Sequence, residues 1–169
     1  PAIPIWAGTR PYQRIPIQWS CHVQAEPGRL VGLGELVTSG DDPRRAFAES
    51  LVRAMPDEGP VFAYHAVFER GVLNEVADAV PEFAEGLRRI ADRLVDLLPI
   101  TRTHYYHPAM MGSWSLKAVL PTIAPDLDYA MLEHVKDGGL AQEAFVEATH
   151  PGTGASRKAI RLYESLGLI

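Results

Sequence analysis

The sequence predicts an α/β domain with a mixed sheet, and three observations predict it. Two stretches of period-two alternation flank a Pro-Gly turn between residues 14 and 38. A short apolar run at residues 60–64 leads straight into a helical repeat, and most of the chain beyond it repeats at helical spacing. A hairpin ahead of a strand–helix crossover mixes antiparallel with parallel pairing.

Residues 1–11 carry three prolines, a glycine and Trp6, and read as an ordered loop. Residues 14–24 alternate, with Ile15, Ile17, Trp19, Cys21 and Val23 opposite Gln18, Ser20, His22 and Gln24. Pro16 marks that strand as an edge or a bulge. Glu26-Pro27-Gly28 turns the chain, and residues 29–38 alternate again through Leu30, Val31, Leu33, Leu36 and Val37. Asp41-Asp42-Pro43 starts a helix, with a carboxylate cap and proline at the first helical position, carrying Phe47, Leu51 and Met55. After the strand at 60–64 comes a helix over 66–80, whose stripe is Phe68, Val72 and Val76. Pro81 opens another helix through residue 94 on Phe83, Leu87, Ile90 and Leu94. Residues 101–114 read as loop, and Ser115 caps a short helix bearing Leu116, Val119 and Leu120. Gly138-Gly139 precedes a helix to residue 148, residues 150–155 form a polar break, and 156–166 form a last helix.

A length of 169 residues gives the expectation of a single domain over 1–169. A 47% hydrophobic composition supplies a core without disulfides or a structural metal. With 16 basic and 21 acidic residues the net charge is −5, which disfavours a broad nonspecific grip on duplex DNA but leaves room for a local basic groove. The single cysteine, Cys21, excludes an internal disulfide and a cysteine zinc cluster, and fits a reducing cytoplasm. No apolar run reaches membrane-spanning length, so no membrane partner is expected. Pro1 is not an initiator methionine; the expectation is a segment of a longer polypeptide, with other domains of that polypeptide as partners.

Several residues could carry chemistry. Glu69 stands in the first turn of a helix at the carboxyl end of a strand, where a carboxylate can face a hard divalent cation. The same position is also simply stabilised by the helix dipole, and spacing alone favours that reading. Asp96 lies in the apolar run Leu94-Val95-Asp96-Leu97-Leu98, so it either faces a polar cleft or caps a turn. His65, one step beyond the strand, is a general base or a hydrogen-bonded edge residue, and the second is favoured. His104 and His107 are two histidines three apart, but two ligands are not a site and Pro108 argues against a shared helix face. Arg10, Arg14, Arg102 and Lys117 could contact phosphate, with solvated charge favoured for Arg14. No phosphate loop, dinucleotide fingerprint or Ser-His-Asp pattern appears.

The string Gly8-Thr9-Arg10-Pro11-Tyr12-Gln13-Arg14-Ile15-Pro16-Ile17-Gln18-Trp19-Ser20 resembles the bacterial domain-of-unknown-function family 2779. Asp42-Pro43-Arg44-Arg45-Ala46-Phe47, Phe68-Glu69, Val95-Asp96-Leu97-Leu98-Pro99, Tyr105-Tyr106-His107-Pro108 and Gly112-Ser113-Trp114-Ser115-Leu116-Lys117 continue the likeness, which spans residues 1–148. That family in turn is similar to the ribonuclease H-like superfamily, and within it to the four-acid 3′–5′ exonucleases that use two divalent metals. The resemblance implies a ribonuclease H-like mixed five-stranded sheet with helices on both faces. It implies Mg2+ or Mn2+ as cofactor and single-stranded nucleic acid as partner. Glu69 takes the place of the third acid and would ligate metal. Asp96 matches a following Asp that supports it, and Ser115-Leu116-Lys117 matches a helix start beside the substrate groove. Arg10, Gln13, His65, Ser115 and Lys117 would line that groove.

Three departures accompany the likeness. The Asp-x-Glu of the superfamily's first strand does not occur before the hairpin, no Asp stands in Arg161-Leu162-Tyr163-Glu164-Ser165-Leu166, and the helix-start acid is Glu rather than Asp. Two functions therefore stay open: a divalent-metal-dependent nuclease, or a nuclease-like fold kept as a binding or scaffolding module.

Overall fold

The computed structural model describes residue 4, residues 6–37 and residues 41–127. The two helices expected beyond residue 138 lie outside the described residues.

The hairpin forms from β1 (Gln18–Glu26) and β2 (Arg29–Leu36), antiparallel, with Gln18 opposite Leu36 and a register slip between Gln24 and Glu26. Gly28 turns it at φ 82, a conformation that costs glycine little. The strand starts at Gln18 rather than residue 14, because Pro16 has no N–H to give a ladder. Trp19, Cys21 and Val23 are half-buried while Ser20, His22 and Gln24 are exposed, as the alternation predicts. The buried face rests on α1 (Arg44–Ala54): the Trp19 indole N–H donates to Ser50 Oγ at 2.8 Å, and the Cys21 thiol lies 3.7 Å from Met55 Sδ. Burial pushes the Cys21 thiol up from its ordinary pKa.

The start of α1 differs in detail from the expectation. Pro43 is itself the N-cap residue and makes no side-chain cap. Asp42 accepts the Arg44 N–H at 3.1 Å and also grips the Arg44 guanidinium, which holds its carboxyl below the usual range.

Three helices make the core. Phe47 and Leu51 of α1, Val72, Leu73 and Val76 of α2 (Ala66–Ala79), and Leu87 and Ile90 of α3 (Ala84–Asp92) are buried together. Each such side chain contributes about 1.5–3 kcal/mol on leaving water. The α1–α3 approach is close: a Cβ added at Gly86 would lie 2.7 Å from Val52 Cγ1.

A 3-10 turn, Pro81–Phe83, precedes α3, and α3 ends at Asp92. Leu94 belongs instead to β4 (Leu94–Asp96), which pairs in parallel with β3 (Val61–Ala63). Helix and short buried strand are indistinguishable by apolar content over a few residues, so the helical stripe reads on through Leu94. The segment α2–α3 is the crossover that parallel pairing requires.

Among the described residues the strands thus form two separate two-stranded sheets, β1–β2 and β3–β4, and not one five-stranded sheet. The mixed α/β class holds; antiparallel and parallel pairing are both present but in different ladders.

The segment expected as loop is partly helical. Asp96 caps α4 (Leu97–His104) by accepting the Leu98 N–H at 2.9 Å. Pro99 falls in the first turn, where its missing N–H costs nothing. After it come a 3-10 turn, Pro108–Met110, and α5 (Leu116–Ile123), with Ser115 at the N-cap position. No helix among the described residues is long and apolar enough to cross a membrane.

Candidate functional site

Parallel strands end where their following helices begin, and ligands in open α/β folds bind at that edge. Here β3 runs through Tyr64 and His65 into α2, and β4 runs through Asp96 into α4. One side chain fixes both junctions. Asp96 Oδ1 accepts the backbone N–H of Leu98 at 2.9 Å and that of His65 at 2.9 Å, and the Ala66 N–H adds to them. These backbone donors, led by Leu98, with His65's positive charge assisting, hold the Asp96 carboxyl below its ordinary range. Of the two sequence readings, the turn cap is therefore the one realised, and it clamps two helix starts at once.

His65 takes the left-handed conformation, φ 66 and ψ 49, to make that junction. Its backbone is bonded and its imidazole is exposed, in agreement with an edge residue. One turn further, Glu69 is exposed on the same helix start. Partial desolvation raises the Glu69 pKa, opposed by His65. The two acids thus differ: packing favours a charged Asp96 and disfavours a charged Glu69.

Tyr64 brings in the third helix start. Its hydroxyl donates to the Trp114 carbonyl at 2.8 Å, drawing the segment just before Ser115 to the end of β3. Burial raises the Tyr64 pKa, the Arg102 charge opposes that and the Asp96 charge adds to it. Ser115 does not use its side chain as a cap; its hydroxyl lies 3.3 Å from Ser113 Oγ. Lys117 is exposed in the first turn of α5. His65, Glu69, Asp96 and Ser115 therefore gather at one edge of the β3–β4 pair.

Arg10 and Gln13 lie elsewhere. They sit in the loop before β1, where the Arg10 N–H donates to Gln13 Oε1 at 3.0 Å and the Gln13 N–H to the Arg10 carbonyl at 3.1 Å. That turn lines an open groove of about 610 Å³ with Glu75, Asp78 and Ala79 of α2. Six residues along the helix, Glu75 is roughly 9 Å from Glu69 in axial rise. Arg14 is not plain solvated charge: it pairs with Glu75 and lies 5.3 Å over the Phe68 ring. Phe68 is accordingly 49% exposed at the rim rather than in the core stripe.

His107 Nδ1 accepts the Ala109 N–H at 3.2 Å, so the pair at His104 and His107 is partly committed to capping a turn. Among the described residues no three His, Cys, Asp or Glu side chains form a group able to hold a metal ion. Sequence reasoning misses Tyr64, Arg70 and the influence of the Arg102 charge on Tyr64. Arg70 donates to the Ala91 carbonyl at 3.2 Å and the Leu94 carbonyl at 3.1 Å, closing the end of α3 onto β4. An aromatic with a polar tip at a strand end is the available signal for Tyr64; the surroundings of Arg70 and Arg102 are set by tertiary contacts alone.

The model of the family described as Domain of unknown function (DUF2779) matches residues 1–115, more than half of the chain. The chain belongs to that family. The matched span of this DUF2779 domain takes in the hairpin, α1 to α4 and the Trp114–Ser115 segment, and so includes His65, Glu69, Asp96 and Ser115 at the β3–β4 edge but not Lys117. No curated protein and no solved structure matches the chain.

Proposed function

We propose that this DUF2779 domain carries part of a metal-dependent phosphodiesterase site of 3′–5′ exonuclease type, acting on single-stranded nucleic acid. The observation that supports it is Glu69: an exposed carboxylate, disfavoured in its charged form, on a helix start that Asp96 rigidly orients. Functional acids are commonly held where the fold does not stabilise their charge. In this reading Glu69 is the carboxylate offered to Mg2+ or Mn2+, Asp96 positions it, and Ser115 and Lys117 face the substrate.

Glu69 and Asp96 do not by themselves fit a two-cation centre. Such a centre needs several carboxylates, and Asp96 already spends one oxygen on backbone N–H groups. The reading therefore requires donors from outside the described residues, in a ribonuclease H-like sheet larger than the two ladders described.

The test is degradation of a labelled single-stranded oligonucleotide by the full chain with Mn2+ or Mg2+. Glu69→Ala is expected to abolish it, and Asp96→Asn to lower it about 10–100-fold, as loss of a supporting residue does. Equal rates for Glu69→Ala and wild type would sink the proposal. A second reading, a nuclease-like binding or scaffolding module, is favoured by the absence of a three-donor group among the described residues. It predicts oligonucleotide binding in chelator with no turnover under any divalent cation.

A further inference from the structure

The groove beside α2 has an unusual charge arrangement. It is lined by Arg10, Pro11, Tyr12, Gln13, Glu75 and Asp78. Its two acids are already matched: Glu75 pairs with Arg14, and Asp78 accepts from Arg88 at 2.7 Å. Arg10 has no ion pair among the described residues, so the charge left for a ligand is positive. Beside it Tyr12 is 81% exposed, and it is held at φ 60, in the left-handed region that a tyrosine rarely adopts.

The loop that imposes this is firmly built. Thr9 closes one turn onto the Trp6 carbonyl through its N–H at 3.2 Å and its hydroxyl at 2.6 Å. Arg10 and Gln13 close the next turn with two reciprocal bonds. Arg14 then staples the loop to α2 through Glu75 and Phe68, and Gly71 leaves room for the guanidinium, since a Cβ there would lie 3.2 Å from Arg14 Nη2. An exposed ring and a guanidinium with no ion pair among the described residues are thus presented side by side over a volume suited to a nucleotide.

We infer that this loop is a nucleotide subsite, in which one base of a single strand stacks on Tyr12 while Arg10 takes a neighbouring phosphate. Stacking on an aromatic ring combined with cationic contact to the backbone is how single strands are held without sequence preference. The inference rests on the proposed action on single-stranded nucleic acid, but it concerns a place roughly 9 Å or more along α2 from Glu69 and needs no metal.

The test uses the full chain and fluorescein-labelled oligothymidylate in chelator, with anisotropy as the readout. Tyr12→Ala is expected to weaken binding about tenfold or more. Tyr12→Phe is expected to bind as wild type does. Tyr12→Gly relieves the backbone while removing the ring, so it is expected to keep the fold and lose affinity as Tyr12→Ala does. Arg10→Ala is expected to weaken binding and to reduce the salt slope by about 0.7, the loss of one phosphate contact. Wild-type affinity for Tyr12→Ala, or an unchanged salt slope for Arg10→Ala, would overturn the inference. Failure of the nuclease reading is seen separately, as absent Glu69-dependent cleavage with Mn2+. Binding that depends on Tyr12 and Arg10 without cleavage keeps this subsite and leaves the binding-module reading.

Discussion

Asp96 and Glu69 look alike in the sequence, each an acid beside apolar residues near the step from a strand to a helix, yet the structure gives them opposite electrostatics. Asp96 is bonded to backbone N–H groups of two helix starts, which lowers its pKa below the ordinary 3.8. A carboxylate with a depressed folded pKa stabilises the fold above the unfolded pKa, and that stability is lost as pH falls through the folded value. Asp96→Asn is therefore expected to lower the melting temperature at neutral pH and to flatten the acid limb of the stability curve below about pH 4. Glu69 has a raised pKa, so its charged form costs stability at neutral pH rather than adding to it. Glu69→Gln is expected not to lower the melting temperature at pH 7, while removing any metal-dependent activity. Thermal melts of both variants across pH decide the matter; a clear loss of stability in Glu69→Gln would make that acid structural. Both carboxylates are visible as candidates in the sequence. Which of them is the cap depends on where His65 and Leu98 come to lie.

At the level of elements, the helices of the core follow from apolar spacing, and their fit depends on one missing side chain. Alanine is a better helix former than glycine by about 1 kcal/mol, so Gly86→Ala in isolation should stabilise α3. The stiff, β-branched Val52 of α1 lies 2.7 Å from where the new Cβ would be. Overpacking of that kind costs about 1–3 kcal/mol, so Gly86→Ala is expected to be net destabilising in urea melts. Adding Val52→Ala should recover most of the loss, with a coupling that independent sites would not show. A more stable Gly86→Ala single variant would refute the close approach. The same level shows where sequence patterns fail. Helix α4 escapes them because Pro99, Thr101 and Thr103 are poor helix formers, whereas the Asp96 cap and a proline in the first turn make them acceptable. Leu94 reads as helical because its burial serves a strand equally well.

Across the molecule, stability is unevenly distributed. The core joins α1, α2 and α3, while the hairpin is only two strands, with Leu30 63% exposed and its turn in solvent. An isolated two-stranded ladder is marginal, so its order depends on the seat provided by Trp19, Ser50 and Met55. Amide exchange is expected to be slowest in α2 and α3, faster in β1 and β2, and fastest from Gln24 to Leu30. Ser50→Ala, which deprives the half-buried Trp19 N–H of its acceptor, should speed exchange in the hairpin more than in α3. Uniform protection across all elements would contradict this picture.

The α/β class, the hairpin and its inward face, the strand–helix step at residues 60–66, and the presence of Glu69 on a helix start are legible in the chain alone. These are local matters: period, turn chemistry and the charge preference of a helix terminus act within a few residues of one another. Packing alone brings Asp96 onto two helix starts, draws the Trp114 segment to the same edge through Tyr64, and sets Arg10 and Gln13 apart along α2. It also decides that the hairpin and the parallel pair form separate ladders among the described residues. Those outcomes join residues far apart in the chain, 50 positions for Tyr64 and Trp114 and 61 for Arg14 and Glu75. No pattern of neighbours encodes which backbone N–H a carboxylate will meet once distant segments have packed.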